Sequence, residues 1–478
     1  MRLIVESRFA LLVLVLIALT ALYGVASATR TVGAASGGAE SAATAPVESA
    51  VRMCPPPQGD DRVSEAAAFA AAGDGGGGEL SAGANAGPAA EDAPVGEPAG
   101  AGRLWTADTS SAERHTLVTA EGAAAAGLEV AQTTVGEDGA YATEVRCPAP
   151  GISTWFAAPG GTELEKLRLL LANPDAEAAT ANVDVYIADG PVSSEETRGI
   201  AVPPHGSSEV DLTELIRGSR TATVHVRTNS GRVAASLFAD HGGSGQDWVP
   251  PTAPPSDTGV VPAVPPGGGD KRLYIAAPGD DPVTADVRLY TGEGREEHDT
   301  LDGVSVPPAA GAFLSLPLDD EAGTAVVEAD GPVVVGAATV RGDGDDTSYS
   351  AAAPPLRGPV ESTAVVPANP EGASSRVAFA ALEGAATAVV TPVEEDGTTG
   401  EPVRVEVPAE RTTVEKLPEP DGAHAFTVEI EGADPVYAGR VLTHEDGGDR
   451  AASVQPLLPA PAEVPLPQVE DSLTAIVE

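Results

Sequence analysis

Apolar and polar residues alternate along much of the chain with the period of a β-strand. The segments NVDVYIAD (residues 182–189) and TATVHVRT (residues 221–228) carry Val, Ile or Ala at every second position. Successive side chains of a strand point to opposite faces, so such a strand buries one face and exposes the other. The chain also contains 54 Gly and 43 Pro, which are typical of many turns. The pattern therefore predicts an all-β protein.

The strand pattern repeats three times from about residue 151, with a period of about 100 residues. Each repeat opens with two strands, continues with a strand that ends in Val-Pro (IAVPPHG, VSVPPAA and VEVPAER) and closes with a hairpin. The second strands of these hairpins begin at Val233, Val333 and Val436. We predict tandem immunoglobulin-like or fibronectin-III-like β-sandwich repeats after an N-terminal hydrophobic helix. The alternative is a β-propeller with two blades per repeat.

Shifts in composition give the predicted domain boundaries. Pro-rich joins at residues 248–269 and 351–372 separate the repeats. A Gly/Ala/acidic tract at about residues 73–102 is expected to be a disordered insert, because it has little apolar surface to bury. The predicted domains are residues 1–28 (signal-anchor or signal peptide), 29–50 (flexible stalk), 51–150 (degenerate β module with the insert), 151–250, 251–350 and 351–453 (three sandwich repeats) and 454–478 (Pro-rich tail).

The succession of these elements resembles a known family. A strand followed by Asn-Pro, an alternating strand, a Val-Pro-Pro turn with Gly, a hairpin, and Cys-Pro near the start are similar to an actinobacterial family of exported, membrane-anchored β-rich repeat proteins of unknown function. The resemblance spans residues 50–460, and the third repeat departs from it with VAFAALEG in place of the Asn-Pro form. It implies export and an N-terminal anchor. Because the family has no assigned activity, it implies no catalytic residues.

The N-terminus combines a basic flank with a long apolar run. Arg2 and Arg8 flank the start of a run over residues 9–26, close to the ~18 residues at which a membrane span becomes plausible. The run is longer than the roughly 7–15 residues of a signal-peptide core, although ASA at residues 26–28 offers a cleavage site. We expect a single anchor in the cell membrane with the rest of the chain outside the cytoplasm. The alternative is secretion after cleavage near Ala28.

The chain is strongly acidic, with 27 Lys and Arg against 71 Asp and Glu and a formal net charge of −44. Phosphate backbones and anionic lipid surfaces repel such a chain. We therefore expect no nucleic-acid partner, and contact with the membrane through the N-terminal helix alone. Aromatic residues make up only 4% of the chain, so its cores must be built mainly from Val, Ala and Leu.

The two cysteines of the chain, Cys54 and Cys147, stand in matching Val-Arg-(Met)-Cys-Pro settings. In an exported protein, two cysteines usually form a disulfide. We predict a Cys54–Cys147 disulfide that closes a loop of roughly 90 residues and is worth on the order of 4 kcal/mol. It would hold the module that is least able to fold by packing alone.

Two groups of residues are candidates for binding. Trp155 and Trp248 lie near the repeat starts and are candidates for stacking on sugars. The segment RGDGDD offers Asp343, Asp345 and Asp346 as oxygen ligands for calcium. No bidentate Glu follows at the distance that a calcium loop requires, so we predict a solvated turn and no metal site.

The turn PPHGSS (residues 203–208) places His205 beside two serines and near Asp211, the residue types of a hydrolase triad. The same turn reads PPAAGA and PAERTT in the other repeats, which favours a strand-connecting turn. We predict no catalytic residue and no cofactor. The sequence favours a non-enzymatic extracytoplasmic protein of the cell envelope, with a scaffold or adhesion role toward an envelope protein or polysaccharide. The alternatives are a carbohydrate-binding array for envelope polysaccharide and a hydrolase that uses the His205 turn.

Overall fold

The structure is a computed structural model, and it confirms the all-β prediction. Helical segments among the described residues are short: residues 16–20, a helical turn at Thr213–Ile216, and 3-10 turns at Glu195–Thr197, Gly242–Ser244 and Asp299–Leu301. The structure describes residues 16–20, 44–59, 62–71, 77–86, 94–136, 141–318, 321–341, 346–358, 360–368, 373–418, 424–446 and 449–466.

Within these ranges the strands form four modules of one topology. The first module comprises β2 (Ser49–Cys54), β3 (Arg62–Ala70), β4 (Gly78–Ala84), β5 (Ala99–Gly100), β6 (Trp105–Asp108), β7 (Thr116–Gly122), β8 (Leu128–Gly136) and β9 (Ala142–Arg146). The second comprises β10 (Ser153–Pro159), β11 (Lys166–Asn173), β12 (Ala179–Ile187), β13 (Gly190–Val192), β14 (Ile200–Val202), β15 (Gly206–Asp211), β16 (Thr221–Ser230), β17 (Ala234–Asp240) and β18 (Gln246–Val249).

The third and fourth modules continue the series. The third comprises β19 (Ser256–Val264), β20 (Gly269–Ala277), β21 (Val283–Tyr290), β22 (Arg295–Glu296), β23 (Val304–Val306), β24 (Ala310–Ser315), β25 (Gly323–Arg341) and β26 (Thr347–Ala351). The fourth comprises β27 (Thr363–Val366), β28 (Ala373–Ala381), β29 (Ala386–Glu394), β30 (Val403–Val407), β31 (Arg411–Lys416), β32 (His424–Glu431), β33 (Val436–Asp446) and β34 (Asp449–Leu457). Two short strands, β1 (Thr44–Pro46) and β35 (Glu463–Pro465), pair with each other.

Each module is a sandwich of two antiparallel sheets, as the repeat pattern predicts. We call the sheet that contains a module's last strand the axial sheet, and the other the outer sheet. The axial orders are β6-β3-β8-β9, β15-β11-β17-β18, β24-β20-β25-β26 and β31-β28-β33-β34, and the outer orders are β2-β7-β4-β5, β10-β16-β12-β13, β19-β25-β21-β22 and β27-β32-β29-β30. The long β25 belongs to both sheets of the third module. Neighbouring strands within a sheet are not consecutive in the chain, unlike those of a simple propeller blade.

Burial follows the sequence pattern of each sheet. Every second side chain of the outer strand β12 is buried, beginning with Ala179 and Ala181, because this strand has one core face. The axial strand β11 is buried along most of its length. Its Leu169 packs within the second module, whereas Leu170 on the opposite face packs against Val145 of the first module. The continuous apolar run of β11 therefore reflects packing on both faces.

The four modules contact one another in a closed cycle. The last strands meet edge to edge in the order β9, β18, β26, β34 and again β9. The first strand of a module also packs on the axial sheet of the next: Met53 contacts Ala172 and Ala234, and Ala263 contacts Val441. In the same way, β27 of the fourth module contacts β3 and β8 of the first. Pro46–Val464 consequently form one compact unit.

The tract at residues 73–102 differs from the predicted disordered insert. It contains β4 and β5, and β4 pairs with β7 along its whole length. Leu80 is buried and anchors β4 in the module core. Pairing with β7 along one edge, and with β5 at Glu79 and Leu80 on the other, satisfies much of the backbone of β4. One large apolar side chain is then enough to hold this Gly/Ala-rich strand. Residues 72–76 and 87–93 lie outside the described residues.

Most of the predicted anchor lies outside the described residues. Its described part, residues 16–20, is helical. Among the described helices, none has the length and apolar character that a membrane crossing requires. The signal-anchor, the cleavage site at residues 26–28 and the stalk up to residue 43 therefore stay predictions. The end of the predicted stalk is not flexible chain, because Thr44–Pro46 form β1 and β2 begins at Ser49. The predicted tail begins too early, because residues 454–457 belong to β34 and pair with β33. Its last part, residues 467–478, lies outside the described residues.

Candidate functional site

Polar residues occupy one register position on the four axial edge strands. Thr143, Asp247, Ser348 and Ser453 pair with equivalent residues of the neighbouring strand in each module, and all four are buried. Ser453 Oγ lies 2.9 and 3.0 Å from the two carboxylate oxygens of Asp247. The fourth module therefore hydrogen-bonds to the second across the centre of the cycle.

Asp247 is fully buried, with 0% of its surface exposed. This burial is the main reason that the pKa of Asp247 lies well above its usual range. The backbone N–H of Trp248 and the hydroxyl of Ser453 oppose this shift, whereas the charges of Asp346 and Glu144 add to it. A carboxyl group that is kept protonated avoids the cost of an uncompensated charge in the core.

A buried ion pair joins the fourth module to the first. Arg440 on β33 donates to the carboxylate of Glu144 on β9, and both side chains are almost completely buried. Arg440 Nε also donates to Ser375 Oγ at 2.8 Å, and Nη2 donates to the Ala368 carbonyl at 2.9 Å. The adjacent cavity measures about 20 Å³, which is close to the volume that one water occupies. This cluster is built to close an interface and leaves no room for a substrate.

A larger cavity of about 250 Å³ lies between the third and fourth modules. Two arginines, Arg341 and Arg376, line it together with Thr339, Ser348 and Thr443. Within the described ranges, neither arginine forms an ion pair or a side-chain hydrogen bond. The remaining lining residues are Pro265, Pro266, Gly267, Gly268, Val441 and Ala452. The cavity thus combines positive charge, hydroxyl groups and space.

The predicted disulfide is present. Cys54 at the end of β2 is bonded to Cys147, which follows β9, and both are completely buried. The disulfide links the outer and axial sheets of the first module and belongs to that module's core. It acts as a structural clasp and takes no part in a polar site.

The two tryptophans proposed for sugar stacking are in packed positions. Trp155 is 8% exposed, and its ring stacks on His225 with the ring centroids 3.8 Å apart. Trp248 is 1% exposed and packs edge to face against Phe238, with the ring centroids 5.0 Å apart. Scarce aromatic residues fill the core here, because the Val and Ala side chains around them are small. In this conformation neither ring face is open to a sugar.

Only one of the three calcium candidates of the acidic loop lies among the described residues. Asp346 is buried, and its carboxylate accepts a hydrogen bond from the backbone N–H of Ala452 at 2.9 Å. Asp343 and Asp345 lie outside the described residues. Elsewhere in the described part of the chain, no group of three or more His, Cys, Asp or Glu is arranged to hold a metal ion.

His205 occupies a turn whose geometry recurs in the other modules. His205, Ala309 and Glu410 all have positive φ angles, of 47°, 50° and 56°. The three residues stand at the same position of the Val-Pro turn, so the backbone conformation is a feature of the repeat. Ser208 Oγ donates to the carbonyl of Ala201 at 2.9 Å and is not directed at His205. Nothing in this geometry assembles a nucleophile and a base.

Sequence reasoning missed Arg341 and Arg376. A signal was present in the strand openings KLRLLL, DKRLYI and SSRVAF, which carry arginine at one shared position: Arg168, Arg272 and Arg376. An arginine that recurs in an otherwise apolar axial strand indicates a shared structural role. Arg376 lines a cavity because the loop of the preceding module offers it no partner. The sequence alone does not show this, since it does not show which loop lies next to Arg376.

Comparisons with known proteins add a family and no activity. No curated protein matches the chain. Among solved structures, it is similar to the Streptomyces avermitilis alpha-L-rhamnosidase complexed with L-rhamnose, with 12% identity over 60% of this chain and 41% of that one and a TM-score of 0.15. An anti-sigma factor domain-containing protein from Clostridium clariflavum shares 9% identity over 71% of this chain and 85% of that one, with a TM-score of 0.12. Scores this low carry no argument about fold or function, and the chain spans less than half of the rhamnosidase. A family model matches residues 105–418, from β6 of the first module to the end of β31 in the fourth, and the chain belongs to that family, the family of unknown function DUF5719.

Proposed function

We propose that this protein is a non-enzymatic component of the cell envelope that acts outside the cytoplasm as an interaction scaffold. The observation that carries the proposal is the closed cycle of contacts among the four modules. A chain of separate sandwiches would bend at each join, whereas a closed cycle holds its surfaces at fixed positions. Such a surface is suited to bind an envelope protein or polysaccharide at several points.

The buried edges of the axial strands support this proposal. An exposed strand edge presents unpaired N–H and C=O groups that invite aggregation. Here the edges β9, β18, β26 and β34 contact one another around the centre. The formal net charge of −44 also keeps copies of the chain apart. These features are typical of a durable exposed protein.

Export is part of the same proposal. Structural disulfides persist in oxidising compartments, and Cys54–Cys147 lies in a core where reductants have little access. The apolar run over residues 9–26 would anchor the chain in the cell membrane, or would be removed near Ala28. Fractionation of cells that express the full-length chain, followed by N-terminal sequencing, distinguishes the two. Recovery of the intact chain with free thiols in the cytosol would contradict export.

A binding measurement tests the scaffold role. The disulfide-intact chain is incubated with isolated cell envelopes, and retention is compared with that of an unrelated protein of similar net charge. We expect specific retention that protease or glycosidase treatment of the envelopes abolishes, which identifies the partner as protein or polysaccharide. Retention no greater than that of the control protein would refute the proposal.

A further inference from the structure

We propose that the cavity between the third and fourth modules binds the carboxylate group of a small ligand through Arg341 and Arg376. This inference does not depend on the compartment or the envelope partner proposed above. It rests on a comparison of equivalent positions in the modules.

The equivalent arginines of the second and third modules each bind a side-chain oxygen from the preceding module. Arg168 Nη2 donates to Gln58 Oε1 at 2.6 Å, and Gln58 lies in the loop between β2 and β3 of the first module. Arg272 forms an ion pair with Glu163, which lies in the loop between β10 and β11 of the second module. In both cases the first loop of one module supplies an oxygen to the axial arginine of the next.

The third module breaks this rule. Its corresponding loop contains Pro265, Pro266, Gly267 and Gly268, and Gly267 precedes Arg272 by five residues, as Glu163 precedes Arg168. The loop thus has no side-chain oxygen to offer to Arg376. The second carboxylate partner of Arg272 is Asp270, at 2.8 Å. The residue two positions before Arg376, where Asp270 stands relative to Arg272, is Ser374.

The cavity lies where these side-chain oxygens are missing. Its volume of about 250 Å³ far exceeds the roughly 10–15 Å³ that a single water requires. Arg341 from β25 adds a second guanidinium to the same space. Two like charges that line one cavity repel each other, and an anion between them relieves the repulsion. The hydroxyls of Thr339 and Ser348 provide further donors for the remaining ligand oxygens.

The chemistry of the neighbouring interface indicates a carboxylate. A guanidinium presents a planar fork of N–H donors that matches a carboxylate bidentately. The ligand group would take the position relative to Arg376 that the Glu163 carboxylate has relative to Arg272. The net charge of the chain repels anions at long range, but screening limits this repulsion to about 8 Å at physiological salt. The two arginines that line the cavity therefore set the charge next to the ligand.

Isothermal titration of the full-length chain tests this site. The probe is glucuronate, with glucose as the uncharged sugar and inorganic phosphate as an anion without a carboxylate. We expect glucuronate to bind and glucose not to bind. Arg376→Gln and Arg341→Gln should each weaken glucuronate binding at least about tenfold, because each removes a charge-assisted hydrogen-bonding group. Arg404→Gln is the matched control, since it makes the same charge change at a 55% exposed surface residue of the same module and should leave binding unchanged.

A Ser348→Asp variant separates loss of the site from loss of folding. It keeps both arginines and adds a carboxylate to the cavity lining, in the position that Asp247 takes in the second module. We expect it to fold and to lose glucuronate binding. Tighter binding of phosphate than of glucuronate would overturn the carboxylate assignment. Absence of binding by the folded wild-type chain, or binding that survives both arginine substitutions, would overturn the site itself.

Discussion

Closure of the cycle depends on the contact between the fourth module and the first, which are not consecutive in the chain. Arg440 crosses this interface and holds Glu144 in a buried ion pair. A substitution Arg440→Met retains most of the apolar volume and removes every donor. It leaves the Glu144 carboxylate without its cation, and it also removes the donors to Ser375 Oγ and the Ala368 carbonyl.

The expected cost follows from this burial. Both members of the pair have only 2–3% of their side-chain surface exposed, so solvent cannot replace the lost partner. Removal of one member of such a pair costs about 3–5 kcal/mol, mainly because the other charge stays buried and unpaired. The double variant Arg440→Met/Glu144→Gln removes both charges and should recover much of that loss. The two single costs are therefore not additive.

Urea unfolding of the wild-type chain, of Arg440→Met, of Glu144→Gln and of the double variant gives the free energies. Hydrogen exchange of the β9 and β27 amides shows where the structure opens. The matched control is Arg404→Met, because Arg404 pairs with Glu431 and both side chains are at least half exposed. An exposed pair of this kind contributes about 0–1 kcal/mol. If Arg440→Met costs no more than the control and leaves exchange in β9 and β27 unchanged, then the first and fourth modules do not close the cycle.

Three further outcomes are expected. Cys54→Ser/Cys147→Ser should lower the free energy of unfolding by about 4–5 kcal/mol, because the bond closes a 93-residue separation, and a non-reducing against reducing thermal melt measures it. Burial raises the pKa of Asp247 above its unfolded value, so the folded state keeps the proton to a higher pH than the unfolded state does. The contribution of Asp247 to the stability of the folded protein therefore falls as pH rises above about 4. Asp247→Asn should flatten the fall in melting temperature over that range, and an unchanged slope would contradict the assignment. His115 directly precedes β7 and is buried, and this burial lowers its pKa to about 4. The free energy of unfolding should therefore fall by roughly 3 kcal/mol as pH drops from 6.5 toward 4, and His115→Leu should remove that acid-side loss in the same melts.

The architecture was predictable where the pattern is local. Period-two alternation identifies the outer strands, and β12 buries the side chains that its sequence indicates. The axial strands were harder to interpret, because a run such as KLRLLLAN is equally compatible with any strand that is buried on both faces. The second face of β11 packs against another module, and a pairing so distant in sequence has no local signal. The closed cycle could therefore not be predicted from the sequence.

The candidate residues show the same limit. The cysteine pair was predictable because a chain with two cysteines has one possible internal disulfide. Trp155 and Trp248 were ambiguous, since an aromatic residue near a strand start either fills a core or faces a ligand. Burial decided between the two: Trp248 lies in a cluster that joins the first two modules. Arg376 was overlooked because its meaning depends on what the loop of the preceding module lacks.

That missing partner bears on why the chain keeps a cavity there. An interface of this kind closes with a neutral oxygen, as Gln58 does for Arg168, or with a carboxylate, as Glu163 does for Arg272. Folding therefore does not require the cavity between the third and fourth modules. A single Gln or Glu in the loop of the third module could bind Arg376 instead. A ligand that supplies the missing carboxylate completes the contact between the third and fourth modules. A ligand that binds the folded chain stabilises it by RT ln(1 + L/Kd), where L is the ligand concentration, so the gain grows with the ligand concentration. The cavity thus makes one of the joins in the cycle responsive to a small carboxylate, while the equivalent joins are closed by the chain's own residues.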